Sequence, residues 1–203
     1  MPVFLEFWRA FLEDLATAMW TKNVVSKAEV LVKHECALWN PLIAILAADG
    51  VNEKNVMAVI EALTAKGAVC EVIAPRLGFI VGEGDTELPI YKSFLTAASV
   101  LYDAVYVAGG TNSIATLEAE ADAVHFLNEA FKHCKPIAAD ASALQVLKAT
   151  YFGRKLPEDE SEQTAMMEGI VISDDIDTLS ERFIAAIAQH RFWEREKPRK
   201  VPA

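Results

Sequence analysis

Lys135 to Leu147, Lys-Pro-Ile-Ala-Ala-Asp-Ala-Ser-Ala-Leu-Gln-Val-Leu, is the stretch best placed to do chemistry. A short apolar strand passes at once into a helical pattern, with Leu144 and Leu147 at helical spacing. Such a turn lifts one side chain above the sheet at a helix N-terminus. Free backbone N–H groups and the helix dipole favour negative charge there. Many α/β enzymes put a Ser or Cys nucleophile in that slot. Here the slot holds Ala141, which has no nucleophilic atom. Ser142 follows it and Asp140 precedes it. A serine needs a positioned base and an oxyanion site to act. At a helix start Ser142 and Asp140 are expected to be N-terminal caps. The charge of Asp140 is favoured beside a helix N-terminus, which makes it a poor general base.

Other reactive side chains are scattered. Glu53, in the first loop, is a possible acid near the same pocket, expected instead to be a solvated turn residue. Gly109-Gly110-Thr111-Asn112 follows an apolar run and could offer N–H groups to an anion. The four histidines form no ligand set. His34-Glu35-Cys36 is a local cluster, but adjacent residues point different ways and zinc needs three or four convergent ligands. His125 and His133 could share a helix face, and the dipole suits His133 near a C-terminus. His190 is expected to pack within the final helix. Cys70 reads as core, and Cys134, in a turn, is the better placed of the two for reactivity. No glycine-rich phosphate motif appears, so no nucleotide, metal or other cofactor is expected.

These residues need a scaffold, and the chain supplies alternating strands and helices. Residues 3–20 and 26–34 read as helices, the first with an apolar stripe and the second with a Ser26–Glu29 capping box. Asn40-Pro41 breaks the pattern. Apolar runs at 42–47, 68–73, 104–108 and 169–173 read as buried strands. Helices are expected over 54–66, 93–99, 118–133 and 177–195, and a loop or hairpin over 78–89. Residues 153–168 read as a surface loop. The fold class is a flavodoxin-like three-layer α/β/α sandwich with a mostly parallel sheet, residues 41–203, behind a helical extension, residues 1–40. Hydrophobic residues make up 53% of the 203, which is enough to bury a full core and excludes global disorder. The net charge of -10 argues against nucleic acid and anionic membranes as partners. Three cysteines, Cys36, Cys70 and Cys134, without regular spacing, fit a reducing, cytoplasmic setting. No apolar run is long enough to span a membrane.

Ala47-Ala48-Asp49-Gly50, Val105-Tyr106-Val107-Ala108-Gly109-Gly110 and Lys135-Pro136-Ile137-Ala138-Ala139 resemble the ThiJ/PfpI family of the class I glutamine amidotransferase-like superfamily. Three further stretches resemble, within that group, the C-terminal domain of large-subunit catalases. They are Ser99 to Val105, Glu129 to Ala138, and Ala188 to Trp193 with the ending Val201-Pro202-Ala203. The chain is far too short to contain a haem-binding catalase core. The resemblance implies a Cys slot at Ala141, its neighbouring His slot at Ser142 and a Glu slot at Asn55. All three depart from the family pattern. It also implies that Gly109 and Gly110 once helped form an oxyanion pocket. Together, Asn55, Gly109, Gly110, Asp140, Ala141 and Ser142 are expected to outline a vestigial pocket. The expected role is non-catalytic: assembly, stability or chaperone-like contact, as a homo-oligomer with protein clients. The alternatives are a hydrolase or glyoxalase-type enzyme using Ser142 or Cys134, and a small-molecule sensor using the vestigial pocket.

Overall fold

Strands buried on both faces must be apolar throughout, and Leu42 to Leu46 meets that demand. In the computed structural model, which describes residues 40–156, 166–167 and 169–195, this run is β1 and lies inside a seven-stranded sheet. The expected helices at 3–20 and 26–34 and the His34-Glu35-Cys36 cluster lie outside the described residues. The other strands are β2 (Val69–Ala74), β5 (Lys92–Ser93), β6 (Ala104–Val107), β7 (Ile137–Asp140), β8 (Met166–Met167) and β9 (Ile170–Ser173). Their order is β5-β2-β1-β6-β7-β9-β8, and every pairing is parallel except β8 with β9. A separate antiparallel hairpin joins β3 (Gly78–Val81) to β4 (Glu87–Ile90). The flavodoxin-like expectation holds.

The helices are α1 (Glu53–Thr64), α2 (Thr111–Ala119), α3 (Ala121–Lys132), α4 (Leu144–Lys148) and α5 (Ile176–Ala188). Helices α1 and α5 pack together, while α2, α3 and α4 form a second group. Helix α1 begins where Asn52 accepts from the Asn55 N–H at 3.2 Å and ends before Gly67, whose φ of 89° suits a helix stop. It buries Val56, Val59 and Leu63. Burying side chains of this size contributes about 2 kcal/mol each, so such faces dominate the stability of the layers.

Three expectations need correction. Residues 93–99 do not form a helix; Lys92–Ser93 is an edge strand and a short 3-10 turn covers Ser99–Leu101. The helix expected over 118–133 starts only at Ala121, because the chain turns extended at Glu120, whose carboxylate caps α3 through the Asp122 N–H, and Glu118 and Ala119 end α2 instead. The last helix stops at Ala188. His190 has a φ of 64°, a left-handed geometry that a continuing helix does not allow, so it lies beyond α5 rather than within it. Within the expected loop 153–168, Gly153–Lys155 forms a short 3-10 turn and Met166–Met167 forms β8.

Candidate functional site

The C-terminal ends of β1, β6 and β7 meet at the sheet centre, where open α/β sheets usually carry their ligands. Asp140 ends β7 and is 4% exposed. A carboxylate so buried must be satisfied by donors. Tyr106 Oη donates to its Oδ1 at 2.7 Å, and the Gly109 N–H donates to Oδ2 at 2.8 Å. Asn55 Nδ2 donates to the same Oδ2 at 3.0 Å. Asp140 is therefore held by β6, by the turn after β6 and by α1. Burial, then the nearby charge of Asp140, pushes the Tyr106 phenol far above its ordinary range, so it remains a donor.

This geometry overturns the capping expectation. No side chain caps the 3-10 turn Ala141–Ala143 or helix α4 that follows it. Asp140 turns back into the sheet ends instead. Ser142 is exposed, and its hydroxyl has no hydrogen-bond partner among the described residues. It faces Gly109 closely enough that a Cβ there would lie 2.6 Å from Oγ. Ala141 is 6% exposed and packs in the main core cluster. The turn thus presents the methyl group of Ala141, and among the described residues no hydrogen bond joins Ser142 to a base.

The glycine turn survives as architecture. Gly110 has a φ of 114°, and a Cβ on it would lie 2.2 Å from the Gly50 carbonyl oxygen. Asn52 N–H donates to the Gly109 carbonyl at 2.9 Å, and Ser113 Oγ accepts from Ala48 N–H at 2.9 Å. Two N–H groups of this turn are met by the chain's own acids. Asp140 takes the Gly109 N–H, and Glu83 Oε1 takes the Thr111 N–H at 3.2 Å. Glu53 is also engaged. It is 9% exposed rather than solvated, and its Oε1 accepts from Gly84 N–H at 3.1 Å. Hydrogen bonds from its own N–H and from Gly84 hold its carboxyl below the usual range. It fastens the β3–β4 hairpin to the start of α1.

The remaining candidates lie elsewhere. Cys134 is fully buried with a φ of 58°, which withholds its thiol from reagents. Burial pushes the Cys70 thiol up to about 11, so it is not a ready thiolate. His125 and His133 do share a face of the α3 region, and His133 Nε2 lies 3.5 Å from Glu129. Among the described residues no group of three or more His, Cys, Asp or Glu side chains could hold a metal ion. Sequence reasoning missed two members of the site, Tyr106 and Glu83. Tyr106 carried a signal, since a tyrosine inside an otherwise apolar strand needs a partner for its hydroxyl.

The family described as the C-terminal domain found in long catalases matches residues 42–197. The chain belongs to that family. It is 41% identical over 165 residues to a Mycobacterium avium protein named "Catalase HPII", covering 79% of this chain and 23% of that one. It is 34% identical over 158 residues to "Catalase-2" of Bacillus subtilis, covering 75% of this chain and 21% of the relative. The chain therefore spans less than a quarter of the length of these catalases. Among solved structures, a two-domain protein of Anabaena variabilis containing DJ-1/ThiJ/PfpI-like and ferritin-like domains gives a TM-score of 0.64 at 16% identity. That likeness covers 81% of this chain and 56% of the other. Oxidized DJ-1 of Toxoplasma gondii gives 0.60 at 18% identity, covering 78% and 95%. These likenesses establish a DJ-1/ThiJ-like fold for this catalase C-terminal domain relative. No helix among the described residues is long and apolar enough to cross a membrane.

Proposed function

We propose that this chain is a catalytically silent domain that serves assembly, stability or chaperone-like contact, as a cytoplasmic homo-oligomer with protein clients. One observation carries the reading. Ala141 fills the nucleophile slot beside an Asp140 carboxylate that Tyr106, Gly109 and Asn55 already engage. Three donors occupy most of the roughly four lone-pair sites of that carboxylate, and among the described residues no hydrogen bond joins it to Ser142. The hydrolase or glyoxalase-type alternative needs a base for Ser142 or an accessible Cys134, and the geometry favours neither. Contact with proteins is supported by Tyr91, Leu95, Val100 and Leu101. These large apolar side chains lie within eleven residues of one another in sequence, and each is more than half exposed.

The test is light scattering of the full chain and of a variant lacking residues 1–22, over a wide concentration range. A defined oligomer that dissociates on truncation is expected, because the sequence spacing at 3–20 calls for a helix with an apolar stripe that needs a cover. A full chain that stays monomeric at every concentration contradicts the proposal.

A further inference from the structure

A cleft of about 300 Å³ lies away from the elbow, between α3 and the segment after β5. That volume suits a small ligand. Phe94 and Phe126 line it, with ring centroids 6.3 Å apart in an edge-to-face arrangement. Asp122, His125, Glu129 and His133 line it along α3 and its C-terminal end. Among the described residues no lysine or arginine lines the cleft. The charge of Glu129 is met partly from outside, by Lys132 Nζ at 3.2 Å. Asp122 is exposed, and its carboxylate has no hydrogen-bond or ion-pair partner among the described residues.

We propose that this cleft binds a small organic ammonium ion carried on an apolar body. Two arguments converge on that class. The permanent charges lining the cleft are carboxylates, so an anion is repelled and a cation attracted. The phenyl rings add apolar contact for the body of the ligand. A bare metal ion lacks the convergent donors it needs. The ligand's apolar part lies against Phe94 and Phe126, and its ammonium group lies toward Asp122 and Glu129.

The test is titration of the isotopically labelled full chain with 2-phenylethylammonium, followed by amide shifts in NMR spectra at pH 8. Phenylacetate and 2-phenylethanol are the controls. Shifts centred on Phe94, Val100, His125 and Phe126 are expected for the ammonium compound, with much weaker binding of both controls. The double variant Asp122→Asn, Glu129→Gln is expected to weaken binding about tenfold while keeping the parent spectrum. Phe94→Ala is expected to weaken it as well. Three results would each overturn the proposal: no shifts at millimolar ligand, equal binding of the alcohol, or unchanged affinity in the double variant.

Discussion

Asn55 and Asp140 meet across the space between α1 and the end of β7, with 3.0 Å between Nδ2 and Oδ2. The acid that the ThiJ/PfpI resemblance expects on α1 is an amide here, and a carboxylate stands on β7 instead. Two carboxylates at that distance could not both ionise cheaply. Asn55→Asp is therefore expected to cost about 2 kcal/mol at pH 7. The sign with pH follows from linkage. The crowded pair keeps a proton in the folded state, so its folded pKa rises above the unfolded value. Stability is then present at low pH and lost as pH rises. Urea unfolding near pH 4 and at pH 7 checks this, with a smaller penalty expected at the lower pH. The empty nucleophile slot was legible in the sequence, because strand, turn and Ala141 are contiguous. The partners of Asp140 were legible only in part. Asn55 and Gly109 were expected in one pocket with Asp140 only through the family resemblance, and Tyr106, 34 residues away, was not expected there at all, because only the sheet order brings it to Asp140.

At the scale of elements, the link from α3 to β7 does more than connect. Lys135 is 3% exposed, and its Nζ donates to the carbonyls of Ser99 at 2.5 Å and Tyr102 at 2.6 Å. It ties the 3-10 turn before β6 to the neighbouring strand. Arg195 Nη1 donates to the Lys135 carbonyl at 2.8 Å, and its guanidinium lies 4.4 Å from the Phe131 ring centroid. Burial, then the charge of Arg191, brings the Lys135 amine down to about 8, with Asp103 opposing the shift. The unfolded chain therefore holds this proton more tightly. The contribution of Lys135 to stability rises as pH climbs from about 8 toward the ordinary lysine value of 10.5. The Cys70 thiol, raised by burial to about 11, opposes this rise above its ordinary value of 9, and the Tyr102 and Tyr106 phenols, raised by burial, oppose it above 10, so the Lys135 limb is read between pH 8 and pH 9. Unfolding measured from pH 7 to pH 9 is expected to show a rising limb that flattens in Lys135→Met. The buried strands were legible because each is an unbroken apolar run. Helix α2 was not, since Thr111–Ala119 buries only Ser113 and Leu117 and carries little apolar pattern. The end of α5 was misread because Phe192 and Trp193 continue the helical spacing, whereas Phe192 N–H in fact donates to the Cys134 carbonyl at 2.8 Å.

At the scale of the whole molecule, the sheet centre is held by the hydrogen-bonded Asp140. The sheet order matches the family's fold, and at the centre Asp140 and Glu83 accept hydrogen bonds from the Gly109 and Thr111 N–H groups, which is the basis of the silent-domain proposal. Family membership was legible in the stretches around Val105, Lys135 and His190, and residues 42–197 match it. Paired unfolding of Asp140→Ala and Ser142→Ala in urea tests the structural role of the elbow most directly. Asp140→Ala leaves three donors without their acceptor, and a loss of about 3 kcal/mol is expected. Ser142→Ala removes an unpartnered exposed hydroxyl, and its stability is expected to stay within about 0.5 kcal/mol of the parent chain. An Asp140→Ala chain as stable as the parent, or a hydrolytic activity abolished by Ser142→Ala, would contradict the account.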